Sequence, residues 1–152
     1  MKVGLLVSRS GPAGLWAPSC DAGAMLAAAE INAAGGVLGR NIDLVIADAG
    51  WSESEAIMAA GSLVDIDGVD AVVGMHPSNV RGAIKRRLSG SVPYIYTPQY
   101  EGGERGPYTV TTGGTDGPSL SHTHRFAFSP PMYAEPSSAQ ANAYFVPSGD
   151  GM

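Results

Sequence analysis

Residues 71–82 read AVVGMHPSNVRG. An apolar run ends in a glycine, and His76, Ser78 and Asn79 stand where a strand hands over to a helix. Three chemistries suit such residues at such a junction. A serine beside a histidine begins a nucleophilic site. Free backbone amides at a helix start cradle an anion. The same amides, with a hydroxyl beside them, clamp the polar end of a small solute. The nucleophile reading wants its serine on a strained elbow of the G-x-S-x-G kind. The local string MHPSNV has no glycine on either side of Ser78. Asp48 is the acid such a site would draw on. The spacing fits Ser78 better as an N-cap, its hydroxyl bonding the amides of the first turn. A cap and a ligand contact are compatible, so a polar clamp is the favoured role.

A second candidate group lies in YIYTPQYEGGERG, residues 94–106. Tyr96, Gln99, Tyr100 and Glu101 follow an apolar run there. Tyrosine brings a flat apolar face and one hydroxyl, and glutamine both donates and accepts. That set suits a small polar molecule, although either tyrosine can equally pack the loop. Trp16 in GPAGLWAP stands in the same position, as core residue or as a wall over a pocket.

Other chemistries find no support. SRSGPAG follows the first apolar run, but neither G-x-G-x-x-G nor G-K-[ST] is present, so no dinucleotide or P-loop site is expected. A phosphoacceptor of the receiver type wants an acidic pair where Ser8, Arg9 and Ser10 stand. Cys20 is the lone cysteine, which excludes an internal disulfide and a multi-cysteine zinc site. His122 and His124 form an HTH string without a third ligand in view. No metal and no cofactor are expected. The net charge of −5 argues against nucleic acid as a partner.

The elements that must position these residues alternate in type. Strand-like runs at 2–7, 42–48, 70–74, 92–97 and 108–112 are separated by helix-like segments at 21–36, 52–65 and 78–88. That alternation predicts an open parallel doubly wound α/β sheet. Met25, Leu26 and Ala29 are expected to form the buried face of the first helix, and Gly35 and Gly36 to stop it. Ser52 and Glu55 have capping-box spacing at the start of the second helix, whose apolar stripe is Ile57, Ala60 and Val64. Ligands of such sheets bind beyond the carboxyl ends of the strands. The loops 8–18, 48–52, 74–79 and 96–107 meet at that edge, and they hold every candidate residue.

Residues 1–113 thus form one α/β lobe. Residues 114–152 are rich in proline and serine without helical or strand periodicity, and are expected to be an irregular, aberrant or disordered tail. The opening MKVGLLVS is too short for a signal core, which implies the cytoplasm if the sequence is complete.

Four strings resemble a known family. SGPAGLW, INAAGGVLGRNIDLVIAD, VVGMHPSNVRGAI and YTPQYEGGERGPYTVTTG occur in order. Together they resemble the type I solute-binding proteins of ABC transporters, in the branch of branched-chain amino-acid, urea and short-chain amide binders. The resemblance covers roughly residues 2–114. It implies a periplasmic protein, no enzymatic activity, a small-molecule ligand and a transporter permease as partner. It also implies two lobes closing on the ligand, of which the matched stretch is most of the first. By position, Ser78 corresponds to the serine that holds the ligand's polar end. Tyr96, Thr97, Gln99, Tyr100 and Glu101 correspond to the second contact loop, and Trp16 to an aromatic over the ligand. His76 departs, because amide and urea binders tend to carry a large aromatic there. A second lobe is not found in the sequence, so the form is read as truncated, with weak binding. Self-association through exposed apolar surface is expected. Two other functions remain in view: a cytoplasmic amide sensor of the same fold, and a small serine hydrolase using Ser78 and His76.

Overall fold

The computed structural model describes residues 1–99 and 108–112. Among them the chain order is β1 (Lys2–Val7), a 3-10 helix (Pro12–Trp16), α1 (Ala17–Ala33), β2 (Asp43–Asp48), α2 (Glu53–Asp65), β3 (Ala71–Met75), α3 (Ser78–Leu88), β4 (Tyr94–Tyr96) and β5 (Thr109–Thr111). Every strand pairing is parallel, and the sheet order is β2-β1-β3-β4-β5. The order reverses between β1 and β3, which creates the switch point where ligands of such sheets collect. The open parallel α/β sheet expected from the alternation is present.

The strands are apolar on both faces because both are covered. Leu6, Val72, Tyr94 and Tyr96 point to one side and pack on Ala56, Ala60 and Leu63 of α2 and on Val80, Ile84 and Leu88 of α3. Leu5 and Val7 point to the other side and meet Ala17, Cys20 and Ala24 of α1. Successive strand residues alternate faces, so one short run serves both layers.

The helices keep their expected identity and shift in detail. Helix α1 begins at Ala17 rather than Asp21, with a proline in its first turn, where the missing amide costs nothing. Its expected buried face is corrected. Met25 is 56% and Leu26 61% exposed, and Ala29 is exposed too, while small residues face the sheet. Both faces of this alanine-rich helix are apolar, and small side chains let it approach Leu5 and Val7 closely. The stripe on α2 turns by one residue in the same way: Ala56, Ala60 and Leu63 are fully buried, Val64 is half-buried and Ile57 is outside.

The stop signal after α1 works as expected. The Gly36 amide donates to the Ile31 carbonyl at 2.9 Å, closing the last turn. A side chain at Gly36, where φ is +75°, would come within 2.2 Å of the Arg40 carbonyl oxygen. The capping box at α2 is formed. The Glu55 amide donates to Ser52 Oγ at 3.3 Å, and the Ser52 amide donates to Glu55 Oε2 at 2.9 Å. Strand β4 is shorter than the expected 92–97, because Pro93 has no amide to give to the ladder.

Candidate functional site

A cleft of about 570 Å³ opens at the carboxyl edge of the sheet, across the β1/β3 switch point. Strand β1 and the following 3-10 helix bring Val7, Pro12, Ala13 and Trp16 to it. The β2–α2 loop brings Trp51, and the β3–α3 junction brings Met75 to Ser78. Strand β4 and its exit bring Tyr96, Pro98 and Gln99. Among the described residues no Asp, Glu, Lys or Arg lines it.

His76 is 3% exposed, and both its ring nitrogens are engaged. Nδ1 lies 3.1 Å from the Pro77 carbonyl oxygen and Nε2 lies 2.7 Å from the Tyr94 hydroxyl. A carbonyl only accepts, so Nδ1 carries the proton and Nε2 accepts from the tyrosine. Burial pushes the imidazole pKa down to about 4; the Pro77 carbonyl opposes that shift and the Arg81 charge adds to it. The ring is therefore neutral near pH 7. The Tyr96 ring centroid is 5.2 Å from that of His76, and the Arg81 guanidinium lies 5.0 Å from the Tyr96 centroid on the α3 side.

Ser78 is corrected in one respect. The N-cap of α3 is Pro77, with φ −60° and ψ 153°, and no side chain caps the helix. Ser78 is the first helical residue and is exposed on the cleft. The extended backbone that Pro77 prefers is itself a cap geometry, so the helix starts there. The hydrolase dyad is not formed, since His76 is turned to Tyr94 and Pro77. Asp48 does not reach the histidine's nitrogens either. Its Oδ1 accepts from the Arg9 and Gly50 amides, each at 2.8 Å, and its Oδ2 accepts from Ser10 Oγ at 2.8 Å. Burial acts to raise its pKa, but these hydrogen bonds outweigh burial and hold the carboxyl below its ordinary range. Asp48 thus ties β2 to the loop that carries Pro12 to Trp16.

The remaining candidates divide. Trp16 is 57% exposed on the cleft, a wall rather than core. Tyr96 lines the cleft from below while 99% of it is covered, its exposure being 1%. Gln99 is exposed at the rim. Thr97 is exposed, and its Oγ1 donates to the Gly74 carbonyl at 2.9 Å, which helps hold β3 to the β4 exit. Tyr100 and Glu101 lie outside the described residues, as do His122, His124 and the whole 114–152 segment. No group of three metal-ligating side chains occurs among the described residues.

Sequence reading missed Trp51, Met75 and Tyr94. Trp51 carried a signal, because it lies in one of the four loops expected at the binding edge. Tyr94 carried none, since its contact with His76 comes from the pairing of β3 with β4.

A family model for periplasmic binding proteins matches residues 1–131. The chain belongs to that family. The Leu/Ile/Val-binding protein BraC3 of Rhizobium johnstonii is 31% identical over 96 residues, covering 63% of this chain and 26% of the relative. Among solved structures, the branched-chain amino acid transporter substrate-binding protein LivJ of Streptococcus pneumoniae, in complex with isoleucine, is 29% identical with a TM-score of 0.59. That match covers 77% of this chain and 30% of LivJ. An ABC transporter substrate-binding protein from Sphaerobacter thermophilus is 27% identical with a TM-score of 0.61, over 73% of this chain and 31% of the other. This periplasmic-binding-protein chain therefore spans about a quarter to a third of the length of such relatives.

Proposed function

We propose that the chain supplies one ligand-contacting lobe of a substrate-binding protein that serves an ABC transporter. Its cargo is a small amino acid or amide, its location the periplasm, and its protein partner the transporter's permease. The observation that carries this reading is the cleft at the β1/β3 switch point, lined among the described residues by uncharged side chains that include Ser78 at the α3 start and Trp16. Exposed first-turn amides and a hydroxyl suit a carboxylate or carbonyl, and the apolar walls suit the remainder of the solute. The kinship with BraC3 and LivJ, one named for Leu, Ile and Val and the other seen with isoleucine, supports the amino-acid class.

Family members of this kind close two lobes on a solute, and closure shifts a population toward the bound form. Contacts from one wall alone give weak binding. Calorimetric titration of the 152-residue polypeptide with leucine, acetamide and urea tests the reading. Weak heats with one of them, diminished by Trp16→Ala, are expected. Silence with all three at high concentration would remove the reading. Micromolar affinity would contradict the need for a second wall.

A further inference from the structure

Both tryptophans of the chain stand on this one cleft. They arrive from different elements, Trp16 from the end of the 3-10 helix and Trp51 from the loop between β2 and α2. Trp16 is 57% and Trp51 45% exposed. Large indoles left half open on the same concave surface are unsatisfied apolar area awaiting an occupant.

Trp51 is also held in place before any ligand arrives. Its amide donates to Glu55 Oε2 at 3.1 Å, the same oxygen that serves the capping box. Its side chain lies against the backbone of Gly11, where a Cβ would come within 3.3 Å of Trp51 Cβ and 3.4 Å of Cγ. Gly11 has φ +73°, so a side chain is disfavoured there on two counts. Little ordering entropy remains to be lost at Trp51 on binding.

Apolar burial rewards any hydrophobic solute in proportion to area. A flat ring gains more on an indole, through offset or edge contacts that an aliphatic branch cannot make. Tyr96 and the neutral His76 ring lie beneath the same cleft and are almost wholly covered, so the two tryptophans supply its open aromatic surface. No charged side chain among the described residues opposes an apolar ring there. We infer that, within the solute class proposed above, the cleft prefers amino acids with a flat aromatic side chain to branched aliphatic ones, and that Trp51 sets this preference. The inference rests on the amino-acid-binding reading of the cleft.

The two indole N–H resonances of the 152-residue chain report the site directly in a proton–nitrogen correlation spectrum. Titration with L-phenylalanine and, separately, L-leucine is performed on the wild type and on Trp51→Leu. Phenylalanine is expected to bind the wild type about five- to ten-fold more tightly than leucine, the worth of one or two ring contacts. Trp51→Leu is expected to erase that difference by weakening phenylalanine alone. Leucine binding as tightly as phenylalanine, or a preference that survives Trp51→Leu, overturns the inference and leaves the proposed function standing. If neither solute moves either indole resonance, the amino-acid reading on which the inference rests falls with it. The wild-type comparison decides the preference even if the variant loses its fold, which spectral dispersion reveals.

Discussion

The Tyr94 hydroxyl donates to His76 Nε2 at 2.7 Å, beneath the cleft floor and away from solvent. The pair joins β4 to the start of α3, because the same imidazole donates from Nδ1 to the Pro77 carbonyl at 3.1 Å. A residue that reads in sequence as a nucleophile's partner is thereby a brace that fixes where the helix begins and where Ser78 is presented.

The brace makes stability depend on pH. The folded pKa of His76 is about 4, against an ordinary value of 6.5. The unfolded chain therefore binds the proton more readily. Stability is full above the unfolded value and is lost as pH falls from 6.5 toward about 4. The shift corresponds to roughly 3–4 kcal/mol at most, taking about 1.4 kcal/mol for each pH unit. Urea unfolding at pH 7.5 and pH 4.5 is expected to show most of that loss in the wild type. His76→Gln should start less stable at neutral pH and flatten the dependence. An equal acid loss in both proteins would place the titrating group elsewhere.

Gly74 leaves room for this pair. A Cβ there would lie 2.8 Å from His76 Nε2 and 2.9 Å from Tyr94 Cε2. Gly74→Ala is expected to cost about 1–3 kcal/mol, as overpacking of a filled core does. Tyr94→Phe leaves Nε2 without its donor and is expected to cost about 1–2 kcal/mol, as an unpaired buried acceptor does. Chemical denaturation of the two variants and the double mutant checks both figures. If the brace is a unit, the two losses will fall short of additive.

Much of this was readable in the chain and some was not. Strand β1 coincides with the expected 2–7, helix α3 with 78–88, and the Ser52–Glu55 box is formed, because those signals are local. On α2 the expected stripe held at Ala60 and in part at Val64, with only Ile57 turned outward, whereas the Met25–Leu26 face of α1 failed for a different reason. Where a helix is apolar all round, close approach to the sheet selects alanine over larger neighbours, and periodicity carries no such information. The site followed the same division. Trp16, Ser78, Tyr96 and Gln99 reach the cleft because strand ends determine the loops. The inward turn of His76 and the hydroxyl bond of Thr97 depend on Tyr94 and Gly74, partners distant in sequence.

Asp48 links the two loops that carry the tryptophans. Asp48→Ala removes the acceptor for the Arg9 and Gly50 amides and for Ser10 Oγ. A loss of about 1 kcal/mol is expected, because Asp48 is exposed and water can take over part of the freed hydrogen bonding. The wild-type carboxyl has a lowered folded pKa, so its contribution is present above its ordinary value of 3.8 and lost as pH falls through the folded one. Increased amide exchange at residues 9–16 and around Trp51 in the variant would locate the effect. Unchanged exchange there would show that the loops are held by other means.

The central claim is that a small solute binds between Trp16 and the start of α3. Backbone proton–nitrogen spectra of the 152-residue chain, recorded with rising leucine and then acetamide, test it most directly. The account predicts saturable shifts concentrated at Ala13, Trp16, Met75, His76, Ser78, Asn79 and Gln99, with α2 and the outer face of α1 unmoved. Shifts scattered over the exposed Met25–Leu26 face, or none at these cleft residues at saturating solute, would contradict it.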